Sequence, residues 1–146
     1  MRLVVDASTL VAESLRARGH ALLTHPSVDL VMASEVWDES RHELRKRVAL
    51  LAERRFLPAT AAEHLLDDVL ALLEARVSVV TSGVYAERME EARRRIPRDP
   101  SDAPTVALAL ILNCAIWTAD HDFFGCGVPI WTTETLQMHL AALATR

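Results

Sequence analysis

The chain has 146 residues, of which 51% are hydrophobic and 25% charged, and its formal net charge at pH 7 is -4. This length and balance predict one globular domain over residues 1–146 with a substantial core, and they exclude a disordered chain. The negative net charge also argues against a protein that coats nucleic acid through a broad positive field.

The composition also bears on the compartment. No apolar run reaches the roughly 18 residues that a membrane span needs, and a strand-like segment begins directly after Met1. We therefore expect a cytoplasmic protein that does not enter a membrane. Cys114 and Cys126 lack C-x-x-C spacing, so we expect buried thiols rather than a zinc site or a disulfide framework.

The first half of the chain alternates short apolar segments with amphipathic ones. Ser8 is a plausible cap for the first helix, which Gly19 would stop, and Pro58 ends the long charged helix. The β-branched segment VSVVT is typical of a strand. Together these patterns predict strands over 2–5, 29–33 and 77–81 and helices over 8–18, 35–55 and 60–76.

The second half continues the alternation. A charged helix is expected over 83–96, and an apolar, buried helix over 101–113. Buried strands over 115–118 and 128–132 and a closing helix over 134–144 complete the chain. Five apolar strands that alternate with helices predict an α/β fold whose parallel sheet is covered on both faces.

Four carboxylates fall at equivalent places in this pattern. Asp6 and Asp120 each follow a strand, Asp102 opens the helix before the strand that leads to Asp120, and Glu39 lies about one turn into the helix after the second strand. Ligands of an open parallel sheet gather outside the carboxyl ends of the strands. We therefore expect these four side chains to share one edge.

Such a cluster needs a cation. Two like unit charges 4 Å apart repel by about 4 kcal/mol at an effective dielectric near 20. All-oxygen ligands, without histidine or cysteine at metal-ligand spacing, favour the hard ions Mg²⁺ or Mn²⁺, which position a water and neutralise charge on a phosphoryl oxygen. Ser8 and Thr118 lie beside the acids in sequence, either as supporting hydrogen-bond partners or as simple capping and strand residues.

The basic residues are almost all arginine, the side chain best shaped to grip phosphate with two hydrogen bonds. They cluster in two runs, which are either solvated helix faces or local contacts to phosphate. The candidates for nucleic-acid contacts are Arg41, Arg45, Arg93, Arg94 and Arg95.

The motifs taken together resemble a known family. VVDAS at the N-terminus, an acid in the helix after the second strand, DAPTVALAL with the pattern D-x-x-x-x-A-x-A, and WTADHDFF with the pattern T-x-D-x-D-F look like a PIN (PilT N-terminal) domain. The resemblance covers essentially the whole chain. This family of nucleases includes the toxins of many bacterial and archaeal toxin-antitoxin pairs, the VapC type.

The resemblance implies a three-layer α/β/α sandwich around a mainly parallel five-stranded sheet. It carries the family's acidic quartet onto Asp6, Glu39, Asp102 and Asp120, with Thr118 or Ser8 in support, and Asp6, Asp102 and Asp120 as the metal ligands. It further implies Mg²⁺ or Mn²⁺, hydrolysis of single-stranded RNA by in-line displacement that leaves a 5′-phosphate, a homodimer, and an antitoxin protein as partner.

Two positions have competitors. Glu35, Glu39 and Glu43 share one helix face at four-residue steps, and we favour Glu39, because Glu35 suits a first-turn acid and Glu43 lies among arginines. Asp99 competes with Asp102, but Ala107 and Ala109 set the motif on Asp102, so Asp99 is predicted to cap a loop. Asp122 is either an auxiliary ligand or a turn residue.

Other functions fit less well. DASTL superficially resembles the haloacid-dehalogenase phosphatases, but their second aspartate is Ser8 here, and the only lysine, Lys46, lies in a charged helix. His42 and His121 lie near the acids without a metal-binding spacing, and acid-base catalysis by two histidines would need a convergent pair that a sequence cannot show. The remaining alternatives are a degenerate PIN-like module that binds RNA or protein without cleaving it, and a housekeeping RNA-processing nuclease.

Overall fold

A computed structural model describes all residues from 1 to 146. Its centre is a five-stranded sheet in which every neighbouring pair is parallel, with the order β3-β2-β1-β4-β5. The predicted α/β class and parallel sheet are thereby confirmed. The strands are β1 (Arg2–Val5), β2 (Asp29–Ala33), β3 (Val77–Val80), β4 (Ala115–Trp117) and β5 (Ile130–Trp131).

Helices cover both faces of the sheet. One group follows β1 and β2 and packs together, and a second group connects β3 to β4 and packs on β1 and β2 through its last helix. None of the helices combines the length and apolar character needed to cross a membrane. The helices are α1 (Ala7–Ser14), α2 (Ala17–Leu23), α3 (Ser34–Arg54), α4 (Ala59–Arg76), α5 (Ser82–Tyr85), α6 (Met89–Arg95), α7 (Ala103–Leu112) and α8 (Thr133–Ala144).

The prediction of the first helix is wrong at both ends. Asp6, not Ser8, is the N-cap of α1, because its carboxylate accepts a hydrogen bond from the backbone N–H of Thr9. Gly19 does not stop the helix but lies buried within α2, after a break at residues 15–16. A Cβ at Gly19 would lie 1.9 Å from the backbone oxygen of Glu13, so glycine permits this close contact.

Two other predicted helices are divided. The segment predicted as one helix over 83–96 is α5, a 3₁₀ turn and α6. The helix predicted from 101 begins with a 3₁₀ turn over Pro100–Asp102, so Asp102 stands at the N-cap of α7 rather than in its first turn. Helical periodicity does not reveal these breaks, and the second one coincides with a local cap, Asp99 on Ser101.

The core lies on both faces of the central strands. Leu3, Val4 and Val5 of β1 are fully buried, as are Ile116 and Trp117 of β4. β1 is flanked by β2 on one side and β4 on the other. From β1 the chain adds β2 and β3 on one side of the sheet and then β4 and β5 on the other, so the strand order reverses at β1. Parallel sheets bind ligands at such a switch point, outside the carboxyl ends of the strands.

Candidate active site

Asp6 is a buried carboxylate at the end of β1. Only 4% of its surface is exposed. Its Oδ1 accepts a hydrogen bond of 2.7 Å from the backbone N–H of Thr9, and its Oδ2 accepts one from the hydroxyl of Thr118. Burial raises its pKa, and these hydrogen bonds partly oppose the rise because they favour the charged form.

Thr118 joins the first carboxylate to the second. It follows β4 directly, and its fully buried hydroxyl donates to Asp6 and accepts the backbone N–H of Asp120 at 2.9 Å. Asp120 in turn caps the next 3₁₀ turn by accepting the N–H of Asp122 at 2.9 Å. The ends of β1 and β4 are therefore held in register by a side-chain hydrogen bond as well as by the sheet.

Asp102 presents a carboxylate oxygen without a partner. Its Oδ2 is buried and receives no hydrogen bond, and the side chain makes no capping bond to α7. Burial raises the pKa of Asp102 to about 7, and the charges of Asp99, Asp120 and Asp6 add to the rise. A buried anion in this state is costly, and a bound cation would offset that cost.

The competitor of Asp102 has a local structural role. Asp99 caps the 3₁₀ turn that begins at Pro100, and it accepts both the backbone N–H of Ser101 at 2.9 Å and its hydroxyl at 2.7 Å. These hydrogen bonds lower the pKa of Asp99. Asp99 therefore caps a loop, as predicted, although it also lies beside the cavity described below.

The three glutamates of α3 have different surroundings. Glu39 lies on the cavity, and its pKa is raised by partial burial and by the charges of Glu43, Asp99 and Asp6. Glu43 lies one turn further along, where its carboxylate pairs with the ammonium of Lys46 at 3.3 Å. Glu35 is not among the cavity's lining residues.

The four carboxylates named from the sequence line one small cavity of about 150 Å³. Its walls contain neither histidine nor cysteine, so any ion held here would be bound through oxygen. The complete lining is Asp6, Ala7, Ser8, Val36, Glu39, Asp99, Ser101, Asp102, Thr105 and Asp120.

The cavity fits a hydrated hard cation better than a fully protein-ligated one. No group of three or more histidine, cysteine, aspartate or glutamate side chains is arranged to hold a metal ion directly. Mg²⁺ usually keeps several waters and takes one or two carboxylates. The unpartnered oxygen of Asp102 and the raised pKa of Asp102 and Asp6 indicate where positive charge would be stabilised.

The other residues named from the sequence lie at varying distances from this cavity. The hydroxyl of Ser8 is 3.4 Å from Asp6 Oδ1, a longer contact than that of Thr118. Asp122 does not line the cavity and forms an ion pair of 3.1 Å with Arg98. Asp122 is therefore a turn residue that pairs with an arginine.

The arginine runs are mostly occupied by ion pairs. Arg41 pairs with Asp38 at 2.6 Å, Arg94 with Glu90 at 3.0 Å, and Arg95 with Glu91 at 2.8 Å. Arg95 also donates to the backbone oxygen of Cys126. The remaining two of the five named arginines, Arg45 and Arg93, form no ion pair.

Sequence reasoning missed Thr9 and Glu13. The Thr9 hydroxyl accepts the backbone N–H of Ala119, so Thr9 contacts both sides of the site. Glu13 is 3% exposed and accepts hydrogen bonds from Arg18 and from the hydroxyl of Thr133. The spacing D-x-x-T at Asp6 could have indicated the cap, but nothing local marks Glu13 as buried.

A model of the PIN domain matches residues 4–141 of the chain, and the chain therefore belongs to the PIN domain family. PIN domains are generally nucleases and typically use divalent metal ions. No curated protein matches the chain.

Two solved structures resemble this one in fold. PAE2754 from Pyrobaculum aerophilum superposes with a TM-score of 0.65 at 24% identity, over 97% of this chain and 90% of that one. FitAcB from Neisseria gonorrhoeae superposes with a TM-score of 0.54 at 20% identity, over 92% of this chain and 99% of that one. At these identities the likeness concerns the fold.

Proposed function

We propose that this protein is an Mg²⁺- or Mn²⁺-dependent endoribonuclease that hydrolyses single-stranded RNA. The observation that carries the proposal is the cavity at the sheet edge, where Asp6, Glu39, Asp102 and Asp120 converge and one buried carboxylate oxygen of Asp102 has no partner. Four acids around so small a space are unfavourable unless a cation is bound among them.

Asp6, Asp102 and Asp120 would hold a hydrated ion, in part through its waters, and the ion when bound supplies a water of lowered pKa and neutralises charge on the phosphate. Thr118 favours the ionised form of Asp6 and orients the carboxylate, because its hydroxyl donates to it. The same hydroxyl accepts the N–H of Asp120 and so fixes the spacing of the two acids. Ser8 supports Asp6 more weakly, through its longer contact.

Glu39 has a separate role in this proposal. It stands on α3, opposite the strand-end aspartates, and it is more exposed than Asp6. Its raised pKa makes it a better proton acceptor than an ordinary glutamate. We assign to Glu39 the orientation and deprotonation of the attacking water. Asp122 contributes through its backbone N–H to Asp120 rather than as a ligand.

The biological role that the family resemblance supports is that of a toxin in a toxin-antitoxin pair. In this proposal the chain acts in the cytoplasm as a homodimer, and a cognate antitoxin protein inhibits it. The alternative role is a housekeeping RNA-processing nuclease with the same chemistry. Expression in a host cell separates the two: growth arrest that Asp6→Asn abolishes supports the toxin, and unimpaired growth with active enzyme contradicts it.

The test of the chemistry is cleavage of a labelled single-stranded RNA by the purified protein, with Mg²⁺ or Mn²⁺ and with excess EDTA. Asp6→Asn keeps the side-chain volume but removes a charge that the ion needs. We expect cleavage by the wild type only with metal, 5′-phosphate products, and no cleavage by the variant. Full cleavage by Asp6→Asn or in EDTA contradicts the proposal, and binding without cleavage by the wild type points to the degenerate module.

The arginines named from the sequence enter the proposal as steering residues for the RNA. Arg45 and Arg93 are free of ion pairs, whereas Arg41, Arg94 and Arg95 would have to exchange a carboxylate for a phosphate. We expect Arg93→Ala with Arg94→Ala to weaken RNA binding and to flatten its salt dependence. An unchanged salt slope would make this run a solvated helix face.

A further inference from the structure

A second, larger depression leads away from the carboxylate cavity. The two are joined by an intermediate cavity of about 340 Å³, which shares Ser8 and Asp120 with the carboxylate cavity. Beyond it lies a depression of about 600 Å³ between α1 and α3, which shares Arg16 and Arg47 with the intermediate cavity. We call this depression the arginine cleft, and its lining residues are Ala12, Leu15, Arg16, Glu43, Arg47, Leu50, Leu51, Arg54 and Arg55.

The charge of the arginine cleft is strongly positive although the whole chain is negative. Four arginines line it against a single carboxylate, Glu43, which already pairs with Lys46. None of the chain's ion pairs involves Arg47, Arg54 or Arg55. Most other arginines of this chain have a carboxylate partner, so three unpaired guanidinium groups along one wall are available to an anionic ligand.

An exposed aromatic ring follows the last arginine of the cleft in the chain. Phe56 directly follows Arg55, and 94% of its surface is exposed. Its backbone has φ of 52°, a region that a bulky residue adopts at a cost. Proteins that bind single-stranded nucleic acid combine a positive groove along the backbone with aromatic rings on which bases stack.

We propose that the arginine cleft binds the phosphate backbone of a single-stranded RNA whose cleaved phosphate lies in the carboxylate cavity, and that Phe56 stacks on a base at the far end. From Glu39 to Arg54 the helix α3 rises about 22 Å at 1.5 Å per residue, so the path accommodates several nucleotides. The inference rests on the proposed ribonuclease function. It adds the direction in which the bound RNA strand extends from the carboxylate cavity.

The test uses the full chain and a labelled RNA of about 10 nucleotides, within the range of single-strand site sizes. Binding is measured by fluorescence anisotropy in EDTA, so that cleavage does not interfere, at several salt concentrations. The variants are Arg47→Gln, Arg54→Gln and Arg55→Gln. The matched control is Arg2→Gln, which also removes one charge but lies at the opposite edge of the sheet, beside Asp29.

We expect each cleft variant to weaken binding about threefold and to reduce the slope of log affinity against log salt by about 0.7, the value for one phosphate contact on a single strand. Arg2→Gln should leave the slope unchanged. Phe56→Gly, which suits the positive φ and removes the ring, should weaken binding about tenfold without lowering the melting temperature.

Cleavage separates this inference from the function on which it rests. With Mn²⁺, the cleft variants should raise KM for the longer RNA, and Arg54→Gln and Arg55→Gln should leave cleavage of a dinucleotide, which cannot reach these two residues, at the wild-type rate. The inference is overturned if the wild type cleaves RNA but all three variants keep its affinity and salt slope. The arginine cleft would then bind an acidic protein partner instead of RNA. Absence of cleavage by the wild type contradicts the proposed function. The anisotropy measurements would still test whether the arginine cleft binds RNA.

Discussion

The ionisation of Asp102 in the metal-free protein provides a sharp test of the site. Its pKa is raised from 3.8 to about 7, chiefly by burial. The folded state therefore holds this proton more tightly than the unfolded chain does, and stability is lost as the pH rises from about 4 through 7. Asp102→Asn keeps the shape of the side chain but has no charge to bury. We expect this variant to be more stable than the wild type above pH 7, and to have a clearly smaller advantage near pH 5, where only part of the loss has occurred.

The size of the effect follows from the pKa of Asp102. A change from 3.8 to about 7 corresponds to about 4 kcal/mol at 1.36 kcal/mol per pH unit. The side chain is only partly buried, so solvent screens its charge, and we expect about 1 to 2 kcal/mol. For a chain of this length, that stabilisation raises the melting temperature by about 3 to 6 °C.

The measurement is thermal unfolding in excess EDTA at pH 5 and pH 8. Asp99→Asn is the control. Hydrogen bonds from Ser101 lower the pKa of Asp99, so its replacement removes only a neighbouring charge of Asp102 and should stabilise the protein at pH 8 less than Asp102→Asn does. Adding Mn²⁺ at pH 8 should reverse the order, since only the wild type gains the binding energy of the ion. A gain for Asp102→Asn that is the same at both pH values, or no gain at all, refutes the ionisation argument.

Three further outcomes are expected. Thr118→Val should lower the free energy of unfolding in urea by about 1 to 3 kcal/mol, because two polar groups lose their partner, and Thr118→Ser should restore most of it. Gly19→Ala should lower the free energy of unfolding by at least about 2 kcal/mol, because its Cβ would overlap the backbone of α1. Gly83→Ala, whose Cβ meets open space, should leave the melting temperature unchanged or higher. Similar losses for both variants would contradict the packing argument. Glu39→Gln should cut the rate of RNA cleavage by orders of magnitude with little change in melting temperature, and Glu43→Gln should stay close to the wild type; the opposite result would move the catalytic register by one turn.

The order and periodicity of the apolar segments predicted the architecture. Short apolar runs that alternate with helical periodicity have one stable arrangement, a parallel sheet buried between helices, because both faces of each strand must leave water. The position of Asp6 and Asp120 after strands, and of Asp102 before a helix, predicted that they meet at one edge. This inference needs only the direction of the strands, and the chain order supplies that direction.

Tertiary packing decided what periodicity does not encode. At the break before α2, Gly19 packs against the backbone of Glu13, a contact that helical periodicity does not reveal. Glu35, Glu39 and Glu43 are equivalent on a helical wheel, and only the packing of α3 against the sheet places Glu39 on the cavity.

The same holds for charge. The sequence shows arginines in runs, but which of them are free depends on neighbours distant in the chain or one helical turn away. Packing α1 beside α3 places Arg47 in a cleft without a carboxylate partner, whereas Arg94 and Arg95 are occupied by glutamates. Likewise, the missing partner of Asp102 Oδ2 follows from burial in the assembled fold. Local preference sets the elements, and long-range contacts set the electrostatics of the site.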